Sequence, residues 1–308
     1  TRSVSAAGGF FLMSQNNRVA LRVWGDFACF TRPEMKVERV SYPVMTPSAA
    51  RGIFEAVFWE PEMYYLIDTI HIVKRGSWFS TRRNEVTTVV SMDNVIKKWM
   101  KAPEKSKPIQ AGGGAKDGTQ RNMLALRDVE YLITAEVRLT ELADRSSCNI
   151  AKYLDQVKRR ASSGKCFHRP YLGVREFDAF FEFIDDAQEA FDKSHAVPIH
   201  YEPLGLMLYD VFDHRLFEKG FRWLDEEQLE ATRLKFEQSL AGLKKGEITK
   251  RRKEYLADAN RLFIGEKIKP QPSFFQAEIK DNILHCHPDD DDVEIIVQND
   301  VEGPDSCC

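Results

Sequence analysis

Strand-like alternation of apolar and polar positions is the clearest signal in this chain. Val19, Leu21 and Val23 alternate with Ala20, Arg22 and Trp24, which predicts a strand broken at Gly25 and Asp26. Tyr64 to Lys74 (YYLIDTIHIVK) is rich in β-branched and aromatic residues and predicts a second strand. Val129, Tyr131, Ile133, Ala135, Val137 and Leu139 alternate with Glu130, Leu132, Thr134, Glu136 and Arg138 in a third. Phe177, Ala179, Phe181 and Phe183 do the same in a fourth. Helical spacing appears twice between them. Thr46 followed by Pro47 reads as an N-cap with proline in the first turn, ahead of a stripe of Ala50, Ile53, Phe54 and Val57; Arg51 and Glu55 fall on the other side. Ile150, Leu154, Val157 and Ala161 form the second stripe, with Lys152 and Arg159 opposite.

The order strand, helix, strand, excursion, strand, helix, strand is a βαββαβ pattern. It predicts an α+β, ferredoxin-like (RRM-like) domain over residues 17–190, with residues 75–126 as a long hairpin or loop between its middle strands. Past residue 190 the texture changes. Leu204 to Asp210 and Phe274 to Leu284, with Asp281-Asn282 as a turn, predict a small C-terminal antiparallel sheet within 191–287. Two charged helices, Asp225 to Ala241 and Glu247 to Leu262, read as an insertion into that sheet at about 213–265. Residues 1–16 and 288–308 read as disordered tails.

Composition narrows the class. With 43% hydrophobic and 30% charged residues, the chain is an ordinary globular protein, and no apolar run approaches the roughly 20 residues of a membrane span. Six cysteines show no CxxC pair, which favours a reduced, cytoplasmic compartment. His285-Cys286-His287 cannot converge on one tetrahedral ion, so no metal or other cofactor is expected. The net charge of −3 hides an asymmetry. Residues 289–308 hold eight of the 47 carboxylates and no Lys or Arg, so the body carries 44 basic against 39 acidic groups.

Three basic groups adjoin the predicted sheet. Arg32, Lys36 and Arg39 lie in the loop after the first strand, and Arg82, Arg83 and Arg121 in the excursion. The densest run, Arg145 to Arg175, includes Lys152, Lys158, Arg159, Arg160, Lys165, Arg169 and Arg175 against the acid Asp155. A single run of this kind is usually a solvated helix face; three around one sheet favour phosphate binding driven by counterion release. RNA is favoured over duplex DNA because no recognition helix is evident and sheets of this class present basic and aromatic groups to splayed bases. There is no GxSxG elbow, Walker loop or HxxxH pair, and Gly112-Gly113-Gly114 lacks the Lys and Ser/Thr of a phosphate loop. Among the histidines, His168 alone lies in a basic cluster, where a surface or capping role is the ordinary reading.

Arg22-Val-Trp-Gly-Asp-Phe-Ala-Cys-Phe-Thr-Arg-Pro-Glu34, Pro47-Ser-Ala-Ala-Arg-Gly-Ile53, Arg82-Arg-Asn-Glu-Val86, Leu126-Arg-Asp-Val-Glu-Tyr131 and Leu172-Gly-Val-Arg-Glu-Phe177 resemble the Cas-five family of CRISPR-associated proteins, in its type I-C (subtype d, Dvulg) branch. Leu204 to Asp210 and Phe274-Phe275 continue the resemblance, which runs from about residue 18 to 285. It implies a β-hairpin thumb, and an endoribonuclease that cleaves precursor CRISPR RNA in the repeat without metal and then holds the 5′ handle. The partners implied are the repeat RNA, the Cas-seven backbone and the large Cas-eight subunit of the surveillance complex, with no membrane. The implied chemistry is attack of a ribose 2′-hydroxyl on the adjacent phosphate, giving a 2′,3′-cyclic phosphate. Processing members carry a Lys-His pair and a tyrosine late in the first helix. Here these positions fall on Lys152-Tyr153 and Phe58, so the resemblance leaves Lys152 to stabilise the phosphorane. It puts Arg32, Lys36, Arg39, Arg82, Arg83, Arg121, Lys158, Arg159, Arg160 and Arg175 on RNA phosphates. The alternative is a structural subunit that caps the handle without cutting, and a metabolic protein with no nucleic acid is the third reading.

Overall fold

The structure, a computed structural model, describes residues 17–87, 96–103, 110, 112, 114–140, 143, 149–218, 234, 236–257 and 272–297. Its elements, in chain order, are β1 (Arg18–Ala28), β2 (Arg39–Val40), α1 (Pro47–Val57), β3 (Met63–Lys74), β4 (Ser77–Val86), α2 (Lys97–Lys101), β5 (Gly118–Leu139) and α3 (Ile150–Ser162). They continue with β6 (Phe180–Ile184), α4 (Ala187–Asp192), β7 (Tyr201–Asp210), α5 (Lys245–Ala257), β8 (Ser273–Lys280), β9 (Ile283–His285) and β10 (Ile295–Val297). The fold is α+β and built on one large sheet.

The four alternating stretches lie side by side as β6-β1-β5-β3, every neighbouring pair antiparallel. This is the arrangement that two crossovers through α1 and α3 give a βαββαβ unit. Val19, Leu21 and Val23 of β1, with Tyr131 and Ile133 of β5, face the helices, and each is nearly or fully buried. Ile53, Phe54 and Val57 of α1 and Val157 and Ala161 of α3 complete that core. Each large side chain among them is worth about 1.5–3 kcal/mol of burial. The opposite face holds a smaller cluster, Ala20, Leu132 and Ala187, where α4 packs.

β1 does not stop at Gly25. It runs on to Ala28, and Gly25 is there because a Cβ would come within 2.8 Å of the Asp178 carbonyl oxygen. The excursion is a hairpin: β4 pairs with Gly118–Arg127, so β5 is a 22-residue strand serving the sheet at one end and the hairpin at the other. Asp128, at φ 58, marks the turn of direction between the two. Lys105, Lys107 and Gly113 lie outside the described residues.

The C-terminal strands join the same sheet. Asp281 and Asn282 take left-handed turn conformations between β8 and β9, and β9 pairs with β3. Part of the expected C-terminal tail is ordered, because Ile295–Val297 pairs with β8 as β10. Residues 1–16 and 298–308, and most of the first charged helix expected at 225–241, lie outside the described residues; the second is seen as α5.

Candidate nucleic-acid interface

Two junctions gather most of the candidate cations, and one loop, residues 163–179, joins them. It is pinned at several points. The amides of Phe167 and His168 both donate to the carbonyl of Ala56 (2.8 and 3.1 Å), an acceptor in the last turn of α1 that has no helical partner. The amide of Cys29 donates to Leu172 (3.0 Å) and that of Ala179 to Pro170 (3.0 Å). Gly173 then turns at φ 84 with its Cα pressed on the backbone of Cys29, where a Cβ would lie 2.1 Å from the carbonyl oxygen.

At one end the loop meets the middle of the hairpin, where Arg83 of β4 pairs with Arg121 of β5. Glu176 accepts from Arg83 at 2.8 Å and lies 3.6 Å from Arg39, so one carboxylate holds two cations from different elements. Arg83 also binds Glu85; Arg121 lies 3.7 Å from Glu38. Arg82 is exposed and, among the described residues, bonds amide side chains alone, Asn122 and Gln120. Phe27, Phe79 and Phe177 pack together beside this group, with centroids 4.9 to 6.4 Å apart. Arg32 and Lys36 stand apart from it. Arg32 lies over the Tyr42 ring at 4.7 Å and near Glu34, while Lys36 is exposed.

At the other end the loop faces α1 and α3. Asn149 caps α3 by accepting from the amide of Ala151 (2.9 Å). Lys152, Lys158 and Arg159 are exposed along the helix; Lys158 pairs with Asp185 at 3.0 Å, and Arg159 bonds Gln156. Arg145 lies outside the described residues. The two positions at which the resemblance reserves catalytic groups do meet. Phe58 and Tyr153 have ring centroids 6.3 Å apart, and they are only 7% and 2% exposed. Lys152 Nζ lies over the Tyr153 ring, 5.4 Å from its centroid, and Arg160 covers Phe58 at 5.5 Å.

Beside Phe58 a cleft of about 1080 Å³ opens between the end of α1, the end of α3 and the 163–179 loop. Arg160, His168, Arg169, Tyr171 and Arg175 line it, as do Trp59, Phe167 and three carboxylates. Lys152 is not among its lining residues. Two of the carboxylates are engaged: Glu55 by Arg51, and Asp178 by Arg169 at 2.9 Å. Arg175 is exposed and makes no ion pair among the described residues, and the Nε of Arg160 is buried without a hydrogen-bond partner. His168 is exposed, as the surface reading expects; what nothing local in the sequence shows is that the loop folds back onto α1 and places it at this cleft. Gly173 was the available signal.

Arg51 corrects an expectation. It does not lie on a solvent face: only 8% exposed, it binds Asp210 of β7 at 2.8 and 3.1 Å as well as Glu55. Burial works against its charge, but the two carboxylates overcome this and raise its pKa. The pair ties α1 to β7.

Among the described residues no helix is long and apolar enough to cross a membrane. His287 bonds Glu136 at 2.8 Å, and Cys286 is buried.

Taken together, the sheet order, the long hairpin and the two basic junctions define a ferredoxin-like protein with cations grouped at both ends of one loop. The family described as CRISPR-associated protein (Cas_Cas5) matches residues 19–258, and the chain belongs to that family, in its subtype d (type I-C) branch. It is 43% identical over 199 residues to a protein of Mannheimia succiniciproducens named CRISPR pre-crRNA endoribonuclease Cas5d, covering 64% of this chain and 87% of that one. A protein of the same name from Thermus thermophilus is 42% identical over 164 residues, covering 53% of this chain and 63% of the relative. A solved structure titled Crystal Structure of CRISPR-associated Protein aligns at a TM-score of 0.49 with 16% identity, over 90% of this chain and 96% of that one.

Proposed function

We propose that this chain is a metal-independent endoribonuclease that cuts precursor CRISPR RNA within the repeat and then keeps the 5′ handle inside a surveillance complex. The observation that carries the reading is the pairing of family membership with the two basic junctions on one loop. The relatives' names, pre-crRNA endoribonuclease, state the reaction on their side. For such scission the substrate brings its own nucleophile, the ribose 2′-hydroxyl. The protein has to enforce in-line geometry, accept a proton and neutralise the phosphorane.

The residues divide the work. Arg82, Arg83 and Arg121 in the middle of the hairpin with Arg39 beside them, Lys158, Arg159 and Lys152 along α3, and Arg160 and Arg175 at the cleft contact phosphates, while Arg32 and Lys36 extend the track past β1. Lys152 and Arg160 are eight residues apart on α3, about 12 Å along its axis, so they serve different phosphates of one strand. The Cas-seven backbone and the large Cas-eight subunit are the protein partners this role requires, in a reduced cytoplasmic setting.

Purified protein incubated with its cognate repeat RNA in EDTA tests the reading. Cleavage at one position is the expected result. Stoichiometric binding without cleavage would leave only the structural capping subunit.

A further inference from the structure

Resting on that endoribonuclease reading, we propose that His168 in the cleft between α1, α3 and the 163–179 loop is the catalytic proton acceptor of this chain, with Arg160 and Arg175 as the cations on the reacting phosphate.

The positions that proton chemistry would ordinarily occupy are closed. Phe58 has no exchangeable proton, and Tyr153 is 2% exposed with its ring against Phe58. Phe58 itself lines the cleft. His168 is the one histidine lining it. Its backbone is fixed by the hydrogen bond to Ala56, its ring packs edge-on against Phe167 at 4.5 Å, and its side chain is exposed. A fixed backbone with an open imidazole is the arrangement a proton acceptor needs when its substrate arrives from solvent.

The cations line the same cleft. Arg160 has a buried, unpartnered Nε and its guanidinium is held on the Phe58 ring, while Arg175 is exposed with no ion pair among the described residues. Of the three carboxylates that face the cleft, Glu55 and Asp178 are held by Arg51 and Arg169, which leaves Glu60 against two arginines and the histidine. Phe167, 74% exposed, and Tyr171, 42% exposed, offer faces on which a splayed base can stack and turn the 2′-hydroxyl in line.

The step balances without a co-reactant. Neutral His168 takes the 2′-hydroxyl proton as that oxygen bonds to phosphorus, and the bond from phosphorus to the 5′ oxygen breaks. The 5′ oxygen takes a proton from solvent, and the imidazolium releases its own to solvent, which restores neutral His168. The products are a 2′,3′-cyclic phosphate and a 5′-hydroxyl.

Single-turnover cleavage of repeat RNA in EDTA, with affinity measured in parallel, tests the assignment on the full chain. His168→Ala should slow cleavage by about 100-fold or more, with affinity unchanged within about threefold. Added imidazole should restore part of the rate to His168→Ala, since the vacated site is open to solvent. His195→Ala, an exposed histidine outside the cleft, should cut as the wild type does. Cleavage by His168→Ala within about threefold of wild type overturns the assignment while leaving the endoribonuclease reading intact. A slowed variant that imidazole does not rescue, and whose affinity falls in step, shows a structural role and also overturns it. Wild-type protein that binds and does not cut defeats the endoribonuclease reading, and the assignment with it.

Discussion

Glu136, on β5, is enclosed by His287 Nε2 at 2.8 Å and by Arg138 at 2.9 and 3.0 Å. Burial pushes its carboxyl up, but these hydrogen bonds and the charge of Arg138 prevail and hold it at about 2, against an ordinary 4.5. A carboxyl depressed in the folded state stabilises the protein above its unfolded value, and that stability is lost as pH falls from 4.5 towards 2. Discounted for partial solvent screening, the contribution at neutral pH is on the order of 2 kcal/mol. Between pH 5 and pH 3, denaturant titrations should show the wild type losing about 1–2 kcal/mol more than Glu136→Gln. Equal losses would mean that the His287–Glu136–Arg138 cluster carries no linkage. The alternation of β5 puts Glu136 on the polar side in the sequence. Its partner His287 lies 151 residues away and is brought there by β9 docking on β3, which no local pattern reports.

Elements differ in how much of themselves they declare. α1 was legible: Thr46 accepts from the amide of Ala49 at 3.3 Å, Pro47 opens the first turn, and the apolar stripe meets the sheet. What failed on α1 was Arg51, because a charge four residues from Glu55 reads as a surface pair until β7 supplies Asp210. The 163–179 loop was legible only as a basic run. Its shape depends on three long-range backbone contacts and on Gly173, whose left-handed conformation and contact with Cys29 exclude a side chain. Gly173→Ala should therefore cost about 2–4 kcal/mol by denaturant titration. It should also abolish cleavage at temperatures where the variant is still folded, because the loop carries both His168 and Arg175. Full cleavage by a folded Gly173→Ala protein would show that the loop does not build the site.

For the molecule as a whole, the sequence order of strands and helices determined the central four-stranded arrangement, since handed crossovers leave few alternatives for a βαββαβ chain. It did not report that the C-terminal strands would extend that sheet, because β9 joins β3 through only three residues. Nor did it report the cleft, which forms where the end of α1 meets the end of α3 and the loop that follows it, about 100 residues further along the chain. The basic junctions at the hairpin and the cleft are linked by one loop held by backbone hydrogen bonds, so on the proposed reading a bound strand would meet phosphate contacts at both ends of a site whose nucleophile is its own. The most direct measurement replaces the 2′-hydroxyl with hydrogen at the mapped cut nucleotide of the repeat RNA. The deoxy substrate should bind as the parent does and remain intact in EDTA, while the parent yields a fragment ending in a 2′,3′-cyclic phosphate. Cleavage of the deoxy substrate at the same position, or a parent fragment ending in a free 3′-hydroxyl, would contradict the account.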